Sequence, residues 1–372
     1  MEYDLVFEGG GAKGLSFAGA LRVFERRGHT VRRVIGTSAG SIVATIIAAG
    51  YDAAESQAAI AERLPNGKAR FASFLDIPTL SEDATINNSL RQWLRTELDN
   101  PLVPNIIEPV VDQMIQNMVQ KDIARHILSL LLWGGWYSDA AFMSWLQERL
   151  NSGGRNLGNS TLHEFHIKAG HDLSVVASDL TSREMLVLNH RTAPTCPTIW
   201  AVRMSMGCPF AWPEVNWNSE WGTYLGEDLT GHKVVDGGLL SNFPIRLFVS
   251  NDEDVNEIMG EGSASENVIG LLLDDALPVP GSGDSPQKAL SGPGLLERLD
   301  VIQEMIVRIS SLANTALEAR DKSVIEAYEQ YVCRLPSKGY GVLEFDMTPE
   351  RMEAIIKAGE AAMEAYFEAH GK

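Results

Sequence analysis

The feature that most constrains this chain is a short apolar run that stops at glycines and leads into a helix. It occurs twice within the first fifty residues. Leu5-Val6-Phe7 ends at Gly9-Gly10-Gly11, and helical spacing follows from Leu15. Val31–Ile35 also ends at a glycine and leads into Ile42–Ala49, whose alanine and isoleucine content predicts a buried helix. This repeated pattern predicts an α/β fold with a central, mostly parallel sheet flanked by helices, and functional groups at the carboxyl ends of its strands.

Further apolar runs extend the pattern along the chain. They predict strands at Leu173–Ala177, Met185–Leu188, Lys233–Val235 and Ile269–Leu273. The glycine- and proline-rich residues 277–294 are predicted to be a flexible linker. Helices are predicted over residues 295–333 and 348–370.

These elements suggest how the chain is organised. We expect residues 1–250 to form the core, with a helical insertion around 80–150. Residues 251–372 are expected to complete the same domain with a strand, the linker and acidic helices. Within the insertion, Ile106–Tyr137 has amphipathic helical periodicity, so it is a candidate lid, membrane contact, oligomer interface or ordinary core helix.

Composition narrows the class of protein. Of the 372 residues, 45% are hydrophobic and 22% charged, which is typical of a globular chain and excludes disordered, collagen-like and coiled-coil proteins. The three cysteines form no metal-binding spacing, so neither a cysteine zinc site nor a disulfide scaffold is expected. Because the cysteine count is odd and no signal peptide or spanning segment is evident, a cytoplasmic location is predicted.

Charge is distributed unevenly. The net charge is −18, which argues against a nucleic-acid polymer as partner. Residues 251–372 hold 23 of the 49 acidic residues and 10 of the 31 basic ones. We interpret this acidic third as a solvated helical surface on the side away from the site. Contact with a membrane surface should then be transient and chiefly apolar, because the carboxylates oppose anionic lipid.

The first glycine turn, Gly9-Gly10-Gly11-Ala12-Lys13-Gly14, has the spacing of a dinucleotide-binding motif. That interpretation requires an acidic residue at the end of the next strand, where this chain has Gly36-Thr37. A Walker loop requires Ser or Thr after the lysine, and Lys13 is followed by Gly14. Consecutive glycines before a helix still leave converging backbone N–H groups, which suit an anion or an oxyanion.

The second turn, Gly36-Thr37-Ser38-Ala39-Gly40, is a G-x-S-x-G sequence between a predicted strand and a buried helix. This context is typical of a nucleophile elbow, in which a strained turn exposes the serine hydroxyl and small neighbours let strand and helix approach. Ser38 is therefore the candidate nucleophile.

The third turn, Asp236-Gly237-Gly238, places a carboxylate at the end of a short strand, although Asp-Gly also favours a hairpin turn. A catalytic triad would add a histidine. His232 lies four residues before Asp236, and His370, near the C-terminus, is the only histidine after it. The other histidines have no motif context. A Ser38–Asp236 dyad is the preferred interpretation, with His232 left open as a third member. A desolvated site would make aspartate a better base.

Together these blocks resemble those of bacterial patatin-like phospholipases. The matching segments are Glu8–Gly14, Ile35–Gly40 and Val235–Gly238, supported by Val175–Leu180, Met204–Phe210 with Pro213, and Leu239–Pro244. The resemblance covers roughly residues 3–250. It implies a three-layer fold and an acyl hydrolase with Ser38 as nucleophile, Asp236 as base, and the N–H groups of Gly10, Gly11 and Ala12 as oxyanion hole.

The resemblance also implies the substrate class. It predicts hydrolysis of fatty-acyl esters of glycerophospholipids through an acyl-serine, with no cofactor and no metal. Alternatives are an acyltransferase or general esterase on the same dyad, or a phospholipase effector that is silent until a ligand or assembly opens the site. Lys13 either pairs within the fold or attracts the lipid phosphate. Assembly into an oligomer stays open.

Overall fold

The computed structural model describes residues 1–75, 125–126, 129–130, 133–281, 322–342 and 344–371. Its strands are β1 (Glu2–Phe7), β2 (Thr30–Thr37), β3 (Asp172–Asp179), β4 (Glu184–Asn189), β5 (Val215–Asn216), β6 (Thr223–Tyr224), β7 (Glu227–Asp228), β8 (Lys233–Asp236), β9 (Val268–Pro278) and β10 (Val332–Lys338). Its helices are α1 (Leu15–Arg26), α2 (Ala39–Ala48), α3 (Ala53–Ile60), α4 (Ala140–Asn151), α5 (Leu162–Ala169), α6 (Thr198–Ser205), α7 (Arg246–Val249), α8 (Glu253–Met259) and α9 (Pro349–Ala369).

One mixed sheet organises the described residues. Its order is β10-β9-β1-β2-β3-β8-β5, and β4 pairs with β3 as an eighth strand. The pairs from β10 through β3 are parallel, whereas β4 and β8 run antiparallel to β3, and β5 runs antiparallel to β8. The predicted α/β fold with a mostly parallel sheet is confirmed.

Helices cover both faces of this sheet, because successive side chains of a strand point to opposite sides. In β1, Leu5 and Phe7 join the core cluster that includes residues of α1, α2 and α9. Val6, between them, joins a second cluster with Phe248 and Val255 on the opposite face. Both faces are buried, which makes the architecture three layers.

The positions at which β2 and β8 pair with β3 explain how the functional turns meet. β4 pairs with one edge of β3, so β2 and β8 share the other edge. Thr37, the last residue of β2, is opposite Val176, and Asp236, the last of β8, is opposite Ala177. Because β2 and β8 run in opposite directions, their carboxyl ends meet head to head. The residue after Thr37 is Ser38.

The strands and helices predicted within residues 1–75 and 133–276, and the helix predicted over 348–370, are confirmed within four residues at their ends, except that β9 ends five residues later than predicted. Two predictions near the C-terminus were wrong at one end. β9 continues to Pro278, inside the predicted linker, whose residues 282–294 lie outside the described residues. The helix predicted over 295–333 overlaps β10, an edge strand that tolerates Pro336 because an edge leaves one side of the backbone unpaired. Residues 322–327 are helical.

The predicted insertion around 80–150 lies mostly outside the described residues, except for α4 and a few positions before it. The segment Ile106–Tyr137 is described only at 125–126, 129–130 and 133–137. Trp136 and Tyr137 are buried in the core, so this end of the segment belongs to the packed interior.

Helices α1 and α9 pack backbone against backbone. A Cβ atom added at Gly19 would lie 1.9 Å from the carbonyl oxygen of Ile356, and one at Gly359 would lie 2.1 Å from that of Ser16. Acidic residues of α9 also pair with α1, since Glu360 lies 2.9 Å from Arg22 and Glu364 lies 2.5 Å from Arg26. Part of the acidic C-terminal third therefore faces a basic helix.

This crossing yields a stability prediction. Gly359→Ala should lower the free energy of unfolding by about 1–3 kcal/mol. The added methyl group would clash with the backbone of α1, which cannot move aside as the end of a flexible side chain can. The loss should appear although alanine has the higher helix propensity. Chemical denaturation measures it, with Gly341→Ala as control, since a Cβ there meets only ordinary contacts from 3.5 Å. Unchanged or raised stability in Gly359→Ala would contradict the close-packed crossing.

Candidate active site

Ser38 lies in a strained turn between β2 and α2. Its backbone angles, φ of 52° and ψ of −125°, fall outside the regions that residues other than glycine ordinarily adopt. The flanking glycines allow this turn: a Cβ at Gly36 would lie 2.2 Å from the Gly40 carbonyl oxygen, and one at Gly40 would lie 2.3 Å from that of Phe7. The local geometry is that of a nucleophile elbow.

The Ser38 hydroxyl donates a hydrogen bond to Asp236. The distance between Ser38 Oγ and Asp236 Oδ2 is 2.7 Å, and the other carboxylate oxygen accepts the Gly238 N–H at 2.8 Å. A Cβ at Gly237 would lie 2.3 Å from the Val176 carbonyl oxygen, so glycine is required where the chain turns against β3. The two predicted catalytic side chains are thus in direct contact.

Burial perturbs the acidity of this carboxyl group. Removal from water raises the pKa of Asp236 to about 6, against the smaller lowering effect of the Gly238 N–H and the Ser38 hydroxyl. A pKa close to the working pH suits a general base, because the group is ionised at neutral pH yet binds a proton more strongly than an ordinary aspartate.

His232, the open third member of a triad, has another partner. Its Nδ1 lies 2.7 Å from Oδ2 of buried Asp179, the last residue of β3. The Nδ1 atom of His370 lies 2.7 Å from the Tyr366 carbonyl oxygen. The Ser38 hydroxyl reaches Asp236 with no imidazole between them.

The glycine turn that predicts an oxyanion hole begins α1 with a 3-10 turn over Gly11–Gly14. Gly11 has a φ of 56°, and the N–H of Ala12 donates to the Val342 carbonyl oxygen at 2.9 Å. Among the described residues, the N–H groups of Gly10 and Gly11 have no hydrogen-bond acceptor. These two groups are therefore the available donors of the turn.

The remaining motif positions have distinct environments. A Cβ at Gly9 would lie 2.3 Å from Asn242 Oδ1, whereas one at Gly14 would meet only ordinary contacts from 3.5 Å. Lys13 is buried and its Nζ lies 2.6 Å from Asp275 on β9, which favours the interpretation that it pairs within the fold.

Two positioning residues were not singled out in the sequence. Ser205, at the end of α6, accepts the Ser38 N–H at 3.0 Å. Asn242 donates to the Gly9 carbonyl oxygen at 2.9 Å and so fixes the glycine turn. The only sequence signal for them is that they lie within the segments Met204–Phe210 and Leu239–Pro244 that resemble the family.

Comparison with known proteins agrees with this geometry. The profile of the patatin-like phospholipases matches residues 5–249. The chain belongs to the patatin-like phospholipase family. It is 27% identical over 375 residues to YqhO of Bacillus subtilis (strain 168), an uncharacterized protein, with 98% of both chains covered.

One solved structure shares the fold. VipD from Legionella pneumophila superposes with a TM-score of 0.51 at 17% identity, over 99% of this chain and 67% of VipD. The type III effector ExoU matches at 18% identity with a TM-score of 0.42, over 99% of this chain and 53% of ExoU. Among the described residues, no helix of this patatin-like protein combines the length and the apolar character needed to cross a membrane.

The raised pKa predicts the pH dependence of any reaction that uses Asp236 as base. Asp236 must be ionised to accept a proton, so kcat/KM should be level above pH 6 and fall about tenfold per unit below it. A soluble short-chain ester avoids changes in the lipid surface. A rate that stays level down to the ordinary aspartate pKa, near 4, would contradict the burial effect.

Proposed function

We propose that this protein is a phospholipase A or lysophospholipase that cleaves fatty-acyl esters of glycerophospholipids through an acyl-Ser38 intermediate. The observation that carries this proposal is the 2.7 Å hydrogen bond from Ser38 Oγ to Asp236, at a strained elbow beside a glycine turn. Membership of the patatin-like phospholipase family supports a lipid acyl ester as substrate.

In the proposed reaction Asp236 takes the Ser38 proton while Oγ attacks the ester carbonyl carbon. The N–H groups of Gly10 and Gly11 stabilise the oxyanion, and Ala12 would join them only after its bond to Val342 is broken. Protonated Asp236 gives its proton to the leaving alcohol. Asp236 then accepts a proton from water, the hydroxide oxygen attacks the acyl carbon, and Ser38 Oγ recovers a proton as the fatty acid leaves.

An apolar cavity beside the elbow supports an acyl chain as substrate. It is lined by Gly11, Ala12, Leu15, Ala39, Ile42, Val43, Ile60, Phe71, Phe345 and Met352, among others. Ala39 directly follows the nucleophile, and Gly11 and Ala12 belong to the glycine turn. A chain leaving the acyl carbon of acyl-Ser38 would therefore find apolar walls next to the reacting atoms.

The dyad gives a direct test of the proposal. Ser38→Ala and Asp236→Asn should each lower the release of fatty acid from mixed phospholipids by about 10³-fold or more, because each removes a group of the same step. Product analysis by mass spectrometry follows free fatty acid and lysolipid. His232→Ala is the matched control, since this histidine pairs with Asp179, and it should keep wild-type activity.

Full activity in Ser38→Ala would refute the proposal.

A serine-reactive fluorophosphonate distinguishes a site that is open at rest from an effector that is silent until activated. One observation favours the effector alternative. The Val342 carbonyl oxygen accepts the Ala12 N–H and lies so close to the glycine turn that a Cβ at Gly11 would be 2.1 Å from it, so one predicted oxyanion donor is already bonded. Labelling of the resting protein would contradict that alternative.

Two exposed aromatic side chains support a transient contact with a lipid surface. The segment from Ser205 to Phe210 begins beside Ser38, and within it the Gly207 carbonyl oxygen accepts the Asp236 N–H at 3.0 Å. Phe210 is 42% exposed and Trp133 is 37% exposed. Gly135 pairs with Phe210, which brings the two aromatic residues onto neighbouring backbone segments. We propose that this aromatic rim enters the interface of a membrane from the cytoplasm.

The rim makes a prediction that separates binding from chemistry. The double variant Trp133→Ala, Phe210→Ala should lower hydrolysis of phospholipid vesicles by about tenfold, since removing two aromatic anchors weakens apolar docking. Hydrolysis of a soluble short-chain ester should stay within twofold of wild type. Ile167→Ala, an exposed apolar residue on α5, serves as control. An equal loss on both substrates would contradict a docking role.

A further inference from the structure

A cluster of metal-ligating side chains lies at the end of β2 and β3 opposite to Ser38. His166 is on α5, Asp172 is the first residue of β3, and His190 directly follows β4. One ligand atom from each lies within 4.8 Å of the other two. Because Asp172 pairs with Arg33 near the start of β2, the cluster is separate from the carboxyl end where Ser38 lies.

The distances within the cluster are close to those of a metal site. His166 Nδ1 lies 2.9 Å from Asp172 Oδ1, and His190 Nδ1 lies 3.5 Å from the same oxygen. The two imidazole rings stack with centroids 3.8 Å apart and an angle of 5° between their planes. Ligand atoms of tetrahedral zinc, with bonds near 2.0–2.1 Å, are about 3.4 Å apart. Because two parallel ring planes cannot both contain one ion, each imidazole must rotate out of the stack before the two Nδ1 lone pairs can converge on a metal.

Two atoms of the cluster are buried without a hydrogen bond. They are Asp172 Oδ1 and His190 Nδ1, for which the described residues offer no partner. His166 Nδ1 lies close to Asp172 but donates its hydrogen bond to the His171 carbonyl oxygen at 3.2 Å, so this bond must break and the ring proton move to Nε2 before Nδ1 can bind a metal. Buried polar atoms that are left unpaired destabilise the fold, so an acceptor oxygen and a ring nitrogen that face each other require an explanation.

The surroundings suit a ligated carboxylate. Arg191 Nη2 lies 3.3 Å from Asp172 Oδ2, which orients the carboxylate and leaves Oδ1 for a metal. A polar cleft reaches Asp172 from solvent and is lined by Arg32, Arg33, Gly170, Arg191 and residues 259–263. Arg32 and Arg33 both pair with the buried carboxylate of Asp4, so their charge is partly compensated. The cleft provides an entry path and room for water.

We propose that His166, Asp172 and His190 bind one Zn²⁺ ion, with a water molecule from the cleft as fourth ligand. Two imidazoles and one carboxylate are a ligand set that zinc commonly takes. Binding breaks no covalent bond: His166 and His190 each use the Nδ1 lone pair, and each neutral ring carries its proton on Nε2. The ion joins α5, β3 and β4, so it stabilises this end of the sheet independently of Ser38.

Titration of the whole, tag-free chain after treatment with chelator tests the proposal. Calorimetry with ZnCl₂ should show one equivalent bound, and Tm should rise with the concentration of free Zn²⁺. Co²⁺ should give the visible absorption of a tetrahedral ion with nitrogen ligands. His166→Ala and His190→Ala should each weaken Zn²⁺ binding by about tenfold or more. His163→Ala, an exposed histidine on the same helix as His166, should bind like wild type.

The wild-type measurements remain decisive if a variant fails to fold. Absence of stoichiometric Zn²⁺ binding, or Co²⁺ absorption without tetrahedral bands, overturns the proposal. Circular dichroism shows whether the alanine variants are folded, and His190→Gln keeps a polar side chain of similar size. Binding by folded His190→Gln that equals wild type also overturns it. Loss of binding in His166→Ala and His190→Ala, with retention in His163→Ala, supports it.

Discussion

The hydrogen bond between Ser38 and Asp236 depends on two strands that end against the same edge of β3. β2 runs parallel to β3 and β8 runs antiparallel to it, so their carboxyl ends meet at Val176 and Ala177. The elbow then turns Ser38 out of β2, and glycines at the crossing points let backbone approach backbone. The pairing of β8 with β3 thus determines whether the proposed nucleophile, Ser38, and its proposed base, Asp236, meet.

The same packing determines the chemistry of the base. Asp236 is buried, and the loss of hydration raises its pKa toward neutrality. The Gly238 N–H opposes this by stabilising the charged form, since it donates to Asp236 Oδ1. An ionised carboxylate in this position is costly to the folded state, as expected where a site is organised for reaction rather than for stability. In the proposed reaction, Asp236 acts as base without a histidine because its surroundings raise its pKa.

Part of the acidic C-terminal third, residues 251–372, packs against the N-terminal glycine turn. This third was interpreted as a solvated helical surface on the side away from the site. Most of its described carboxylates are exposed, but its position away from the site is wrong for part of it. β9 and β10 extend the sheet beside β1, Asp275 neutralises Lys13 of the glycine turn, and Val342 contacts the turn itself. Carboxylates of α9 pair with arginines of α1. Three carboxylates of this third, those of Asp275, Glu360 and Glu364, thus pair with basic residues near the start of the chain.

The sequence alone determined the local structure around the glycine turns. A β-branched run, small residues about Ser38 and an apolar helix predict the elbow, because these properties act over a few residues. Asp236 was found in the same way. The Ser38–Asp236 dyad was preferred because no histidine has a convincing position in the sequence. His232 stayed open because sequence spacing does not tell which side chains share a strand edge. The structure pairs His232 with Asp179.

Only the tertiary structure decided the long-range contacts. β10 was missed because an edge strand with a proline has little signal of its own, and Lys13 has a partner 262 residues away. His166 and His190 have no motif that joins them, since α5 and β4 come together only when both pack beside β3. Local periodicity depends only on residues that are neighbours in the sequence. Contacts between distant segments depend on which strands pair, and that pairing is determined by burial of the whole sheet.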